Sequence, residues 1–277
     1  MDTQGRKTRI IVGALIGVYL FAMFFPFLWI FITSFKTSGE IFGTGAFRII
    51  PDSPTIQNFI KVLLEKGILD AIKTSLIVAT ATTLYIVLVA TFTAYAISRF
   101  DFKGKNILLG LILAVSMFPQ MIVVGPVYNL FLNLGLTNSY AIILPYSTIT
   151  LPMAVWILVT HFNQIPLALE ESAKIDGANS LQTLFKIVFP LAAPGVFTTA
   201  IIVFIAAWNE FLLTITINSD IKYHTVPVAI SYLRTQFEIL WGEVAAATTI
   251  VTIPTLIIVL FFQKQIVAGL TSGGVKE

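Results

Sequence analysis

The chain has 277 residues, of which 57% are hydrophobic and only 11% are charged, whereas a soluble domain is about 25% charged. A soluble fold of this length cannot bury so much apolar surface, so composition excludes a soluble enzyme and a disordered chain and indicates a polytopic membrane protein. The net charge of +3 is too small to suggest a nucleic-acid partner, and the absence of cysteine excludes disulfides, thiolate metal sites and a cysteine nucleophile.

Uncharged apolar segments recur along the whole chain, and a membrane-spanning helix needs about 20 such residues. The run from 106 to 169 is long enough for two spans and divides at an Asn- and Gly-rich stretch, residues 129–138. The predicted spans are residues 11–33, 74–97, 107–126, 140–161, 195–215 and 244–262. Prolines inside four of them predict kinks, at Pro26, Pro119, Pro152 and Pro254. The predicted fold class is an all-α polytopic membrane protein with six transmembrane helices.

Basic residues favour a cytoplasmic N-terminus, because Arg6, Lys7 and Arg9 precede the first span. With six spans, ten Lys and Arg residues fall on the cytoplasmic side and seven on the outer side. Residues 1–10 are therefore predicted to be a cytoplasmic N-terminus. Residues 11–277 are predicted to form one transmembrane domain that ends in a cytoplasmic tail, 263–277. The structure of the long outer loop, 37–73, does not follow from the sequence.

The predicted cytoplasmic loop 162–187 has the pattern of two short helices. Pro166 suits a first helical turn, and Gly177 predicts the end of that helix. Asn179 and Gln182 have the spacing of a capping box for a second helix. From the residues alone, an amphipathic helix on the lipid surface and a helix that docks on a partner both remain open.

Within this loop, residues 171–178 read Glu-Ser-Ala-Lys-Ile-Asp-Gly-Ala, followed by Phe185 and Pro190. The pattern resembles the E-A-A-x-x-D-G-A loop of permeases from binding-protein-dependent ABC importers, with Ser172 in place of the central alanine. The resemblance implies a coupling helix that docks in a cleft of a cytoplasmic ATPase subunit. The residues that it assigns to ATPase coupling are Glu171, Ser172, Ala173, Asp176, Gly177 and Ala178.

Two further stretches resemble sugar permeases similar to the smaller, G-type membrane subunit of the maltose transporter. Residues 208–211, Trp-Asn-Glu-Phe in the fifth predicted span, match the W-N-E-F of that group. The C-terminal tail resembles the group's Q-K-x-x-x-x-G-L-x-x-G-x-V-K pattern, which implies that it reaches the ATPase interface. The tail residues concerned are Gln263, Lys264, Gly269, Leu270, Gly273, Val275 and Lys276.

Glu210 is a carboxylate inside a predicted span. If that span begins near Gly195, Glu210 lies about 22 Å along the helix. A carboxylate at this depth is costly, so it indicates either the transport pathway or a hydrogen bond that holds neighbouring helices together. The same two alternatives apply to its neighbours in the motif, Trp208, Asn209 and Phe211.

The sequence gives weaker indications of a function for the two histidines. His161 is expected at the membrane interface, at the end of the fourth span, rather than as a ligand. His224 lies in a predicted outer loop, and the sequence offers no partner for it.

The resemblance implies a type I ABC importer permease in the cell membrane that carries a carbohydrate. It implies as partners a second, non-identical permease, two ATPase subunits and an extracytoplasmic solute-binding protein. The chain has no phosphate-binding loop, since Gly104-Lys105 is followed by Asn106, so ATP and Mg²⁺ are expected on the ATPase subunits. We expect no catalytic residue, cofactor or metal in this chain. The alternative is a secondary transporter or channel subunit, and the sequence leaves open which sugar is carried and whether this chain contacts it.

Overall fold

The computed structural model describes residues 3–234 and 239–271, with side chains at 9, 11–234 and 239–263. These residues are helical apart from loops and an isolated antiparallel bridge between Arg234 and Ile239. The α-helices are α1 (Thr3–Thr33), α2 (Ser38–Phe42), α3 (Gln57–Leu64), α4 (Ile68–Arg99), α5 (Lys105–Ser116), α6 (Gln120–Asn133), α7 (Ser147–Asn163), α8 (Leu167–Ile175), α9 (Ser180–Thr183), α10 (Phe189–Leu191), α11 (Ala193–Trp208), α12 (Leu212–Ile217), α13 (Val226–Ser231) and α14 (Trp241–Thr271). Two 3₁₀-helices, Tyr140–Ile143 and Ile221–Tyr223, and a π-helical turn, Leu184–Val188, lie between them. The predicted all-α class is confirmed.

Four helical segments in the described residues are long and apolar enough to cross a membrane: Ile11–Thr33, Ile68–Arg99, Tyr140–Asn163 and Trp241–Gln263. Two further candidates are helix pairs bent at a short break. The bend is 95° between α5 and α6, and 81° between Ser180–Leu191 and α11. Counting each bent pair as one span gives six, the predicted number.

The third predicted span, 107–126, is wrong as a single helix, because residues 117–119 interrupt it. Pro119 has no N–H to donate, and its ring disfavours helical backbone at Phe118, so the helix cannot continue through this point. Pro119 instead occupies the N-cap position of α6. The other prolines predicted to cause kinks lie inside continuous helices, at Pro26, Pro152 and Pro254.

The fifth predicted span, 195–215, is also wrong as a single helix, because residues 209–211 separate α11 from α12. Within this break, the Glu210 carboxylate accepts hydrogen bonds from the backbone N–H groups of Leu213 (2.8 Å) and Thr214 (3.2 Å). The first N–H groups of a helix have no acceptor within the helix, and a carboxylate there also interacts favourably with the helix dipole. Glu210 therefore stabilises the start of a new helix rather than the continuation of α11.

Two connections between the predicted spans contain helix. The predicted loop 129–138 is partly helical, since α6 continues to Asn133. The turn that follows uses left-handed backbone at Gly135 (φ +66°) and Asn138 (φ +52°), residue types that accept this conformation. The outer segment 37–73 contains α2, α3 and the first residues of α4.

The chain divides into two compact units. The first unit comprises residues 1–69 and 230–253. Within it, the side-chain amide of Asn58 in α3 donates to the backbone oxygens of Ser34 and Lys36, both at 2.9 Å. The buried Glu243 carboxylate in the first turn of α14 lies 3.8 Å from the Lys61 ammonium and 3.6 Å from that of Lys66. These contacts attach α3 to the outer end of this unit.

The second unit comprises residues 70–229 and 254–277. Its core is built from small and branched side chains, which let α4, α7 and α11 pack closely. The core residues include Ile86, Ala90, Ala94, Ala154, Leu158, Phe162, Leu184, Val188, Val196 and Val203. The predicted coupling loop belongs to this unit, so α8 and α9 are carried on the same core as the membrane helices.

Candidate functional site

The predicted coupling loop folds as α8, a tight turn and α9. α8 begins at Leu167, so Pro166 occupies the N-cap position rather than the first helical turn. α8 ends at Ile175, Asp176 is its C-cap, and Gly177 follows with φ +84°. The N–H of Gly177 donates to the Lys174 oxygen (3.1 Å) and that of Ala178 to the Ala173 oxygen (2.9 Å). These two bonds define a Schellman motif, which glycine forms without steric cost.

The second helix of the loop has the predicted capping box. The Asn179 side chain accepts from the Gln182 N–H, and the Gln182 side chain accepts from the Asn179 N–H, each at 2.9 Å. The two predicted signals, the glycine at 177 and the capping box that begins at Asn179, thus lie two residues apart. Together they fix a sharp turn between α8 and α9.

Most of the residues predicted to couple to an ATPase are accessible. Exposed are Glu171, Ser172, Asp176 and Gly177. Ala178 is half-buried, and Ala173 is buried. Apolar side chains on the same segment are also exposed, among them Ile175 and Leu181. The turn and its flanking helices therefore offer a compact, partly apolar surface, while Ala173 packs inside this chain.

The residue that sequence reasoning missed is Glu170, which is only 3% exposed. Its carboxylate pairs with Arg99, the last residue of α4, and accepts a hydrogen bond from the Tyr95 hydroxyl at 3.2 Å. The Arg99 guanidinium also donates to the backbone oxygens of Phe162 (2.7 Å) and Ile165 (3.3 Å). Arg99 therefore ties α8 to the C-terminal ends of α4 and α7. The sequence feature that could have identified Glu170 as buried is helical spacing, which places it on the same face as the buried Ala173.

His161 lies near the end of α7, where its ring packs directly on Gly195 of α11. A Cβ atom at Gly195 would lie 2.4 Å from the His161 ring, which is closer than real contacts allow. The ring also lines a cavity of about 460 Å³ together with Gln164, Leu169 and Pro194. The prediction of an interfacial residue did not include this contact, by which α7 and α11 approach each other closely.

The four residues of the Trp-Asn-Glu-Phe motif have different surroundings. Trp208 is buried and stacks on Phe204, with ring centroids 5.9 Å apart. Asn209 is exposed and donates to the Ile205 oxygen of its own helix (2.8 Å), and Phe211 is also exposed. Buried Glu210 makes the contacts that start α12.

Glu210 also reaches α7 through Thr214. The Thr214 hydroxyl lies 3.3 Å from the Glu210 carboxylate and 2.5 Å from the Tyr146 hydroxyl. This chain of contacts corresponds to the helix-holding alternative. A pathway role for residues 208–211 stays a prediction.

The predicted tail contact falls largely at the edge of the described region. Gln263 is exposed near the end of α14. Lys264, Gly269 and Leu270 lie in α14. Gly273, Val275 and Lys276 lie outside the described residues. The role of the tail at an ATPase interface remains a prediction.

His224 is buried within the second unit, next to the 3₁₀-helix Ile221–Tyr223. Burial lowers the pKa of His224 below its usual value, while the backbone of Ser219 and Asn218 and the Asp220 carboxylate act in the opposite direction. Among the described residues, no group of three or more His, Asp or Glu side chains could hold a metal ion.

The sequence model of the family described as "binding-protein-dependent transport system inner membrane component" matches residues 86–272. The chain is 39% identical to the trehalose/maltose transport system permease protein of Thermococcus litoralis, over 98% of this chain and 97% of that protein. It is 36% identical to the sulfoquinovosyl glycerol transport system permease protein of Agrobacterium fabrum, over 99% and 95% of the two chains.

The fold is similar to that of a solved membrane transporter. A chain from the crystal structure of a bacterial ABC transporter involved in import of the acidic polysaccharide alginate superimposes with a TM-score of 0.83. The match covers 95% of this chain and 98% of that chain, at 20% sequence identity. This identity is too low to transfer a substrate, but the fold is shared along nearly the whole length.

Proposed function

Because this chain belongs to the family of inner membrane components of binding-protein-dependent transport systems, we propose that it is a permease subunit of an ATP-driven carbohydrate importer. It is a multi-pass membrane protein with a type I importer permease fold. The carbohydrate class is supported by the names of its relatives, which transport trehalose and maltose or sulfoquinovosyl glycerol.

The proposal includes partners that supply ATP hydrolysis, the other half of the transport pathway and delivery of the sugar. Two ATPase subunits hold ATP and Mg²⁺, and this chain contributes no cofactor and no catalytic residue. A second, non-identical permease supplies the other half of the pathway. A solute-binding protein delivers the sugar from outside, as the family description supports.

The single observation that supports the proposal is the exposed segment formed by α8, the turn and α9, which the buried Arg99–Glu170 ion pair attaches to the rest of the chain. The ATPase subunits bind Glu171, Ser172, Asp176, Gly177 and Ala178, and Ala173 packs beneath them. When ATP closes the ATPases, they displace α8. The Arg99–Glu170 pair passes this displacement to α4 and α7, because a buried ion pair with further hydrogen bonds resists separation.

The test is to purify the tagged chain from its native membranes in mild detergent and to identify what accompanies it. We expect an ATPase with a phosphate-binding loop and a second permease. The purified complex, reconstituted in liposomes with its binding protein, should import trehalose or maltose only when ATP is present. A chain that purifies alone and transports under an ion gradient without ATP would overturn the proposal and support a secondary transporter.

A further inference from the structure

A cavity of about 350 Å³ lies in the second unit where two interrupted helices meet. It is bordered by the break between α5 and α6, by the start of α12 and by the outer half of α7. The lining residues used below are Ser116, Phe118, Gln120, Thr148 and Leu213. Its volume lies within the range of small-molecule sites, about 300–1,000 Å³.

The cavity lies within the membrane rather than at its surface. α5 begins at Lys105 on the cytoplasmic side and rises for 12 residues, about 18 Å, before it ends at Ser116. Along α7, Thr148 precedes Asn163 at the cytoplasmic end by 15 residues, about 22 Å. In a hydrocarbon core of about 30 Å, both positions fall in its central or outer part.

The face of the chain that contains the cavity is not suited to contact with lipid acyl chains. Non-helical backbone at membrane depth occurs where it is covered by protein or lines a water-filled cavity, because lipid cannot satisfy its polar groups. The break at residues 117–119 is such backbone, and Phe118 beside it is 60% exposed. The face that contains the cavity therefore belongs to a protein-lined or aqueous interior.

The polar groups around the cavity can still accept or donate hydrogen bonds. The hydroxyls of Ser116 and Thr148 donate to the backbone oxygens of Leu113 (2.6 Å) and Pro145 (2.7 Å), which leaves their own oxygens as acceptors. The Gln120 side chain has no hydrogen-bond partner among the described residues, so it offers two donors and one acceptor. These groups are combined with the apolar faces of Phe118 and Leu213.

We propose that this cavity binds one saccharide unit of the transported carbohydrate as it passes through the membrane. Gln120 and the hydroxyls of Ser116 and Thr148 bind the sugar hydroxyls, and Phe118 packs against the C–H face of the ring. Apolar lining with a few convergent polar groups is the composition that such a ligand requires. The inference rests on the proposed function, since it names where this chain contacts the substrate.

The first test uses the absence of cysteine in this chain, which makes a single introduced cysteine unique within it. In the assembled transporter, Gln120→Cys should react with a small maleimide, and trehalose or maltose should slow that reaction at least about fivefold. The control is Asn129→Cys, an exposed position on the same helix, where neither sugar should change the rate. Betaine at equal osmolarity controls for solute effects. Equal labelling rates with and without sugar at both positions would overturn the inference.

The second test removes one hydroxyl without changing side-chain shape. Thr148→Val should lower the amount of sugar moved per ATP hydrolysed by about fivefold, the effect of one lost hydrogen bond. The matched control is Thr160→Val on the same helix, which should keep the wild-type ratio. Among the described residues, the Thr160 hydroxyl bonds only to the Trp156 oxygen (3.0 Å). An unchanged ratio in Thr148→Val would contradict the inference alone. Failure of the wild-type complex to import any carbohydrate when ATP is present would instead contradict the proposed function.

Discussion

At the scale of single residues, two adjacent glutamates show how position on a helix separates two roles. Glu171 is exposed and belongs to the surface that we propose contacts an ATPase, whereas Glu170 is buried against Arg99 and Tyr95. Taking two charges out of water is costly, and the pair is stable only because further hydrogen bonds satisfy both groups. The Tyr95 hydroxyl and the backbone oxygens contacted by Arg99 provide these bonds.

Glu170→Gln should therefore destabilise the chain, because it leaves the Arg99 guanidinium buried without a carboxylate. Removing one member of a buried ion pair costs about 3–5 kcal/mol. Thermal unfolding of the purified protein in detergent measures the change. Glu171→Gln is the matched control, and an exposed substitution of this kind should change stability by no more than about 0.5 kcal/mol. Equal Tm values for the two variants would show that the pair does not anchor α8.

At the scale of secondary-structure elements, the close approach of α7 and α11 depends on the absence of a side chain at Gly195. Any Cβ there would overlap the His161 ring at 2.4 Å. Close packing leaves little freedom to relieve such an overlap, so the helices would have to separate. The cavity beside them also borders Leu169 of α8, so this joint lies next to the proposed coupling segment.

Gly195→Ala should lower stability by about 1–3 kcal/mol, the usual cost of overpacking. Gly125→Ala in α6 is the control, since no described atom outside its own turn of helix lies within 4 Å of the position of its Cβ. That control should be neutral or stabilising by up to about 1 kcal/mol, because alanine favours helix over glycine. Thermal unfolding compares the two variants. Adding His161→Ala should recover the stability lost in Gly195→Ala, and no recovery would contradict the proposed contact.

At the scale of the whole molecule, the surface of α1 is exposed, so this chain leaves it open to contact with another protein. None of its residues from 11 to 33 is buried. Gly13 and Gly17 on the same helix have open space beside them. Glycines spaced in this way allow close approach of a second helix, so we predict that a helix of a partner subunit contacts this surface.

The proposed coupling of ATP hydrolysis to transport belongs to the assembled transporter. Gly177→Asp should abolish ATP-driven uptake while the chain still inserts, because it places a charged side chain on the docking turn. Gly135→Asp is the matched control: it has a similar φ of +66°, and at both glycines no described atom beyond the adjacent residues lies within 4 Å of the Cβ position. Uptake in reconstituted liposomes should persist in the control, since both variants share the backbone strain but only Gly177 lies in the coupling segment. Normal uptake by Gly177→Asp would count against docking at this turn.

The sequence by itself determined the features that depend on local pattern. Hydrophobic runs long enough for the bilayer led to a polytopic helical protein and to the number of spans. The end of α8 before Gly177 and the capping box of α9 were predicted correctly, because the groups that form each motif lie within a few residues of one another. Pro119 also marked a bend, although the structure shows a complete break.

Only the tertiary structure decided which side chains meet across the chain. Glu170 and Arg99 are separated by 71 residues, and Tyr146 and Thr214 by 68, so no local spacing indicates either contact. Glu210 was predicted to lie within a continuous span, but its carboxylate starts a new helix instead. Burial and pairing of polar groups depend on which helices pack together, and this packing is set by the whole core rather than by neighbouring residues.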